Sequence, residues 1–288
     1  MKIEEIRTVG VAGAGSMGAG IAQVAAQSGF AVKVVDVDTG VWARAQKSIT
    51  RSLERLVSKE KMTADQMQEV LGRLSFSTDV GTLSGVPFLF EAVFEDVGVK
   101  KELFGKLDAV CGEETVYATN TSSIAITEMA SLVKRPGRFV GMHFFNPVPV
   151  MRLVEVIPAM QTAQSTVDLA RAMAAKLGKT AITCKDTPGF VVNRLLVPYM
   201  LDAVRLLEQG VASAEDIDTA MKLGAGMPMG PFELMDFTGV EISFLVGEIF
   251  YGYTKESRFA PPPLIRSMVK AGYLGKKTGK GFYEYPGK

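Results

Sequence analysis

Residues 8–18 of this 288-residue chain have the sequence Thr-Val-Gly-Val-Ala-Gly-Ala-Gly-Ser-Met-Gly. The first five are mainly β-branched or apolar and predict a buried strand, whereas residues 16–28 predict a helix. Three glycines lie between and at the start of these elements. Gly13 permits a tight turn, Gly15 leaves the backbone open to a ligand, and Gly18 allows close packing of helix on strand. The stretch therefore predicts a strand–turn–helix unit that opens an α/β domain.

The same turn predicts a site for the phosphates of a dinucleotide, because the amides of a helix N-terminus and its dipole attract anions. The residues of this turn are Gly13, Ala14, Gly15, Ser16, Met17 and Gly18. Asp36 follows a second predicted strand, 31–35, and its carboxylate can accept hydrogen bonds from a ribose diol while repelling a 2′-phosphate. NAD is therefore favoured over NADP. The alternative is a glycine-rich turn that binds some other nucleotide.

Further alternation of strands and helices extends this pattern through the first part of the chain. Strands are predicted at 87–92, 116–119, 139–142 and 153–157, and helices at 99–110 and 165–177. Apolar strands alternating with helices are typical of a mostly parallel sheet covered on both faces. We expect a Rossmann-type NAD-binding domain over residues 1–186.

A long charged segment at about 41–72 interrupts the pattern and predicts a helical hairpin, with its two helices joined near Lys61. Thr63 followed by Gln66 is a start signal for the second helix. Such a hairpin is either a solvated flap or a basic wall for an anionic ligand.

The character of the sequence changes at 184–190, where Pro188 and Gly189 interrupt regular structure. The remainder predicts helices, among them one over 190–208 that contains Pro198 and one with Ser213 as its N-cap. We expect a smaller all-α C-terminal domain over 187–288.

Composition excludes several classes of protein. With 32 Lys and Arg against 31 Asp and Glu, an extended nucleic-acid surface is not expected. Cys111 and Cys184 are too far apart to suggest a metal site or a disulfide framework, which favours a reducing, cytoplasmic setting. No signal peptide or membrane span is predicted.

The single histidine, His143, lies at the end of a predicted strand, where α/β proteins bind ligands. A lone histidine near aromatic residues is more often structural than catalytic. Glu155, however, lies in the apolar strand 153–157, where a carboxylate needs a partner unless it faces outward. An imidazole is a suitable partner, because the carboxylate fixes its tautomer and increases its basicity. Ser122, after strand 116–119, and Asn193, at the start of the helical domain, add polar groups, although the serine could be a helix cap.

Several motifs together point to one family. They are Gly-Ala-Gly-Ser-Met-Gly at 13–18, Asn-Thr-Ser-Ser at 120–123, His-Phe-Phe-Asn-Pro at 143–147, Asp-Thr-Pro-Gly-Phe-Val-Val-Asn-Arg at 186–194, Met-Pro-Met-Gly-Pro-Phe-Glu-Leu at 227–234 and Gly-Lys-Gly-Phe-Tyr at 279–283. Over essentially its whole length the chain resembles the monofunctional L-3-hydroxyacyl-CoA dehydrogenases, including bacterial 3-hydroxybutyryl-CoA dehydrogenases. The resemblance implies reversible, NAD-dependent oxidation of an (S)-3-hydroxyacyl-CoA in fatty acid or butanoate metabolism.

The resemblance also implies roles for individual residues. His143 matches the general base, Glu155 its carboxylate partner, and Ser122 and Asn193 the residues that reach the substrate. Implied cofactor contacts beyond the glycine turn are Asp36, Glu95, Lys100, Asn120, Ser122, Asn146 and Lys277. Ser52 and Lys59 match residues that contact coenzyme A, which favours the basic-wall interpretation of the hairpin. No metal site is expected, and the resemblance implies a homodimer formed through the C-terminal domain.

Departures from the family pattern are confined to Asp96 and Gly98, where relatives more often carry Asn and a larger apolar residue. Two alternative functions remain open at this point. One is a sugar-acid dehydrogenase resembling L-gulonate 3-dehydrogenase, and the other is a non-catalytic, crystallin-like protein that keeps the cofactor fold.

Overall fold

The computed structural model describes residues 1–286, in two units, Met1–Thr187 and Pro188–Lys288. Gly287 and Lys288, at the end of the predicted C-terminal domain, lie outside the described residues. The first unit contains one sheet of eight strands in the order β3-β2-β1-β4-β5-β6-β7-β8. Their bounds are β1 (Thr8–Ala12), β2 (Ala31–Val35), β3 (Leu74–Ser77), β4 (Phe88–Glu91), β5 (Val116–Thr119), β6 (Phe139–Phe144), β7 (Leu153–Pro158) and β8 (Thr180–Thr183).

All neighbouring strands are parallel except β6 and β7, which run antiparallel. The predicted α/β class with a mostly parallel sheet is therefore confirmed. The two edge strands, β3 and β8, were not predicted from the sequence. Both are at most half-buried, so neither has the continuous apolar run that marks a central strand.

Six helices belong to this unit: α1 (Ser16–Gln27), α2 (Thr39–Ser58), α3 (Ala64–Gly72), α4 (Val97–Val110), α5 (Ile126–Ala130) and α6 (Gln164–Lys176). Helices α2 and α3 form the hairpin and pack against α1 through buried Ala45, Ile49, Leu53 and Val70. Thr63 and Gln66 cap α3 reciprocally, each side chain accepting the other's backbone N–H, at 3.2 and 2.9 Å. The cap gives the hairpin a defined corner.

The second unit is helical, with α7 (Val192–Glu208), α8 (Ala214–Gly224), α9 (Pro231–Thr238), α10 (Val240–Thr254) and α11 (Pro263–Lys270). Helix α7 runs through Pro198, and Ser213 caps α8 by accepting the N–H of Asp216. The core of this second unit includes Leu201, Phe232 and Phe250. Within residues 1–286, no helix combines the length and apolar character that crossing a bilayer requires.

Candidate active site

The glycine turn after β1 has a geometry that suits a bound dinucleotide. Gly13 has a φ of +100°, and a Cβ there would lie 2.5 Å from the carbonyl oxygen of Ala92. A Cβ at Gly18 would lie 1.9 Å from the carbonyl oxygen of Gly13, so helix and turn could not approach as they do. At Gly15, by contrast, no heavy atom of the described residues other than its two chain neighbours lies within 4 Å of the Cβ position. The turn is thus closed on the protein side and open on the side where phosphates would bind.

Asp36, directly after β2, lies beside this turn. Its Oδ2 accepts the backbone N–H of Ala14 at 2.6 Å, which fixes the carboxylate at the carboxyl edge of the sheet. The half-buried side chain has the position expected of an acid that binds an adenosine ribose. The residues present therefore fit an NAD molecule.

His143 and Glu155 lie opposite each other in the antiparallel pair β6–β7. The imidazole Nδ1 is 2.7 Å from Oε2 of Glu155, and both residues are buried, with the glutamate fully enclosed. The ring of Phe145 contacts the imidazole at 4.6 Å between centroids. Strand register and an aromatic neighbour thus hold the imidazole in one orientation.

Strand β5 lies beside β6 in the sheet, and the loop that follows β5 carries Asn120 to Ser123. Asn120 Oδ1 accepts the N–H of Phe144 at 2.9 Å, which ties the loop to the strand of His143. The half-buried Ser122 follows two residues later. The structure therefore brings the serine loop and the histidine strand to the same edge of the sheet, with Asn120 bonded to the backbone.

Beside the loop is an ion-pair network, in which Glu91 and Lys100 are fully buried and Glu95 reaches the surface. Lys100, from α4, has no exposed surface, and its Nζ is 2.9 Å from both carboxylate oxygens of Glu91 and 3.2 Å from Glu95. Burial alone would raise the pKa of Glu95, but Lys100 and donors from the serine loop outweigh it and hold the pKa below its ordinary value of 4.5. The predicted cofactor residues Glu95 and Lys100 are thus bonded to each other, and Lys100 is sealed from solvent.

A pocket of about 560 Å³ opens between α1, α2 and residues 146–150. Four cations of α2 line it: Arg44, Lys47, Arg51 and Arg55. Ser52 also lines it and accepts a hydrogen bond from the buried Gln23 amide at 2.9 Å. Lys59 is exposed at the C-cap of α2 and is outside this lining. The hairpin therefore forms a basic wall on one side of the pocket, and Ser52 lies in this wall.

Three predicted residues remain, one in the first unit and two in the second. Asn146 is exposed and lines the hairpin pocket. Asn193 is half-buried in the first turn of α7, and Lys277 pairs with Glu241; both belong to the second unit. Among residues 1–286, no three His, Cys, Asp or Glu side chains are grouped to hold a metal ion.

Glu91 and Gln23 were not predicted from the sequence as residues of the candidate site. Glu91 ends the apolar strand Phe-Leu-Phe-Glu, a pattern that carries the same signal as Glu155, a carboxylate within a buried strand. Gln23 is 2% exposed in a helix of small apolar residues. A buried polar side chain needs a partner, and in both cases the partner belongs to the site.

Family comparison agrees with this geometry. Residues 8–187 match the model for the NAD binding domain of 3-hydroxyacyl-CoA dehydrogenase, and residues 189–285 match its C-terminal domain. The chain belongs to the 3-hydroxyacyl-CoA dehydrogenase family. It is an NAD-dependent oxidoreductase, and the predicted cofactor is confirmed.

Several relatives align with this dehydrogenase over almost its whole length. The hydroxyacyl-coenzyme A dehydrogenase of Rattus norvegicus mitochondria is 46% identical over 97% of this chain and 91% of its own length. A probable 3-hydroxybutyryl-CoA dehydrogenase of Bacillus subtilis is 44% identical over 98% of each. The crystal structure of (S)-3-hydroxybutyryl-CoA dehydrogenase from Ralstonia eutropha superposes with a TM-score of 0.96 at 43% identity, covering 98% of this chain and 100% of that one.

Proposed function

We propose that this dehydrogenase interconverts a short-chain (S)-3-hydroxyacyl-CoA, 3-hydroxybutyryl-CoA in particular, and the 3-ketoacyl-CoA, in fatty acid or butanoate metabolism. The observation that carries the proposal is the buried His143–Glu155 pair at the sheet edge that also holds the glycine turn and Asp36. The relatives named 3-hydroxybutyryl-CoA dehydrogenase support the short chain.

His143 would act as the general base on the substrate hydroxyl. With Nδ1 engaged by Glu155, the proton would be exchanged through Nε2, and the carboxylate would stabilise the imidazolium that forms. In the reverse direction the imidazolium would donate the proton to the 3-keto oxygen. Ser122 and Asn193 would hydrogen-bond the same oxygen and stabilise its developing charge.

Residues 13–18 and Asp36 would hold NAD, with Glu95, Lys100, Asn120, Ser122, Asn146 and Lys277 as further residues assigned to the cofactor. When bound, NAD⁺ supplies the hydride acceptor for C3 of the substrate. The chain contributes the orientation of the reacting groups and the exclusion of water.

The basic pocket would hold the phosphate-bearing end of coenzyme A. Four cations beside Ser52 match a ligand with several phosphate charges, and Lys59 would contribute from the end of α2. The open volume of about 560 Å³ is within the range of ligand sites.

Residues 1–186 would serve as the NAD-binding domain, and 187–288 as the domain for substrate contact and dimerisation. Exposed apolar side chains on α9 and α10, such as Phe237, Leu245 and Ile249, support a homodimer through the second unit. We also propose a cytoplasmic location, which the two free cysteines, Cys111 and Cys184, support.

NADH oxidation by the purified protein with acetoacetyl-CoA tests the function, with NADPH and a longer 3-ketoacyl-CoA as comparisons. Rapid turnover with NADH and the four-carbon thioester is the expected result. If no CoA thioester is reduced, the proposal is wrong, and the sugar-acid dehydrogenase alternative is tested next.

A further inference from the structure

The carboxylate of Glu95 uses its two oxygens for two different purposes. Oε2 is 3.2 Å from the Lys100 ammonium. Oε1 accepts four hydrogen bonds from the loop after β5: the hydroxyl of Thr121, the N–H of Ser122 at 3.0 Å, and the N–H and hydroxyl of Ser123 at 3.2 and 3.0 Å. A single carboxylate thus connects a buried cation to the backbone of the serine loop.

Glu91 anchors this arrangement from the interior. It is fully buried at the end of β4, where its oxygens accept the N–H of Val93 at 2.8 Å and the hydroxyl of Thr119. Thr119 is its register partner at the end of β5. Because both carboxylate oxygens of Glu91 also contact Lys100, the ammonium has a fixed position relative to two strand ends.

We propose that Glu95 is a positioning residue for Ser122, and that Glu91 and Lys100 hold the Glu95 carboxylate in place from below. This inference rests on the proposed role of Ser122 as a hydrogen-bond donor to the reacting oxygen. The carboxylates of Glu91 and Glu95 share the single ammonium of Lys100, which leaves one negative charge without a cation. The four hydrogen-bond donors of the serine loop stabilise that charge at Glu95. The loop is thereby drawn onto a carboxylate that cannot rotate away.

The burial of Lys100 explains how it contributes. A fully buried lysine is costly unless its charge is compensated, so its position beside two carboxylates is strongly determined. With no exposed surface, Lys100 acts on the site through Glu95. A donor that must stabilise charge at a developing oxyanion works only when its position is held in advance, and small displacements reduce the rate strongly.

Hydrogen–deuterium exchange of residues 120–126 tests the positioning without any need for activity. Glu95→Gln keeps the shape of the side chain but removes the charge, so the amides of Ser122 and Ser123 should exchange about tenfold faster. Glu102→Gln is the matched control, because Glu102 lies on α4 with Lys100, is 71% exposed and pairs only with Lys106 among the described residues. It should leave the exchange of residues 120–126 unchanged.

A double-mutant cycle tests whether Glu95 acts through Ser122. Glu95→Gln should lower kcat, measured at saturating NADH, about 10- to 100-fold, because a displaced donor loses most of its effect. In the Ser122→Ala background, where no hydroxyl remains to be positioned, the same change should lower kcat less than about twofold. Glu91→Gln should shift both readouts in the same direction, which keeps the test available if Glu95→Gln folds poorly.

Equal losses of kcat in both backgrounds would mean that Glu95 acts independently of Ser122 and would overturn the proposal. Unchanged exchange at Ser122 and Ser123 would also overturn it. If the wild-type protein reduces no CoA thioester, the proposed function fails, but the exchange measurement still decides whether Glu95 positions Ser122.

Discussion

The imidazole Nδ1 of His143 is 2.7 Å from Oε2 of Glu155 because these residues are direct register partners in two antiparallel strands. Directly opposed residues present their side chains on the same face of a sheet. A carboxylate at Nδ1 keeps the proton on that nitrogen, so the basic nitrogen of the neutral ring is Nε2. The antiparallel register of β6 and β7 therefore selects the tautomer that a general base requires.

Replacing Glu155 by Gln should lower kcat by a factor on the order of 10² to 10⁴, because an amide no longer selects this tautomer or stabilises the imidazolium. His143→Gln should lower kcat at least as far. Steady-state reduction of acetoacetyl-CoA measures kcat, and fluorescence titration with NADH should show unchanged affinity in both variants. A near-normal kcat in His143→Gln would remove the base assignment, and a near-normal kcat in Glu155→Gln would remove the role of the carboxylate.

The glycine turn offers a pair of substitutions with different outcomes. Gly15→Ala adds a methyl group where no described residue other than its two chain neighbours is near, so the melting temperature should stay close to wild type while NADH affinity falls. Gly18→Ala places its methyl group 1.9 Å from the carbonyl oxygen of Gly13, so both stability and affinity should fall. Thermal melts and NADH titrations distinguish the two. Normal NADH affinity in Gly15→Ala would exclude phosphates from this turn.

The basic wall should act on the nucleotide part of coenzyme A. Arg51→Ala and Lys59→Ala should each raise the KM for acetoacetyl-CoA several-fold at low ionic strength, because each removes a charge that attracts phosphate. The KM for acetoacetyl-pantetheine, which lacks the nucleotide, should not change, and kcat should change little. Lys106→Ala, an exposed lysine on α4, is the control. Equal effects on both substrates would contradict the assignment.

Acid should weaken the contribution of Glu95 to stability. Since its pKa is lowered in the folded state, the stabilisation by its carboxylate is complete above the ordinary pKa of 4.5 and is lost as the pH falls through the lower folded-state pKa. The difference in unfolding free energy between wild type and Glu95→Gln should therefore be constant near neutral pH and shrink below 4.5. Urea denaturation across this range measures it. If the difference in unfolding free energy already shrinks above pH 6, the pH dependence comes from a group other than Glu95.

Asp236 should be a major determinant of stability in the second unit. This buried carboxylate accepts the N–H groups of Phe282 and Tyr283 at 3.0 and 2.9 Å and the hydroxyl of Tyr285 at 3.0 Å. Asp236→Asn should lower the free energy of unfolding by about 2–3 kcal/mol, because the amide presents a donor to donors. Urea denaturation tests this, with exposed Asp202→Asn as the control. Equal stability of the two variants would show that the C-terminal segment needs no such tether.

Much of the fold was predictable because its signals are local. The strand of residues 8–12, the glycine turn and the cap at Thr63 depend on neighbours within a few residues, and the structure places them as predicted. The edge strands β3 and β8 were missed, since a half-exposed strand lacks a continuous apolar run. Glu91 was missed although it carries the same signal as Glu155.

The amino-acid sequence alone was enough to predict the α/β alternation, the glycine turn with Asp36, and the need of a buried carboxylate such as Glu155 for a partner. These follow from residue type and short spacing, whose effects extend over one or two elements. The packed fold was needed to establish that β6 and β7 are antiparallel, which sets His143 against Glu155. It also decided that Lys100 joins Glu91 to Glu95, because ion pairs and strand register depend on the packing of the whole sheet.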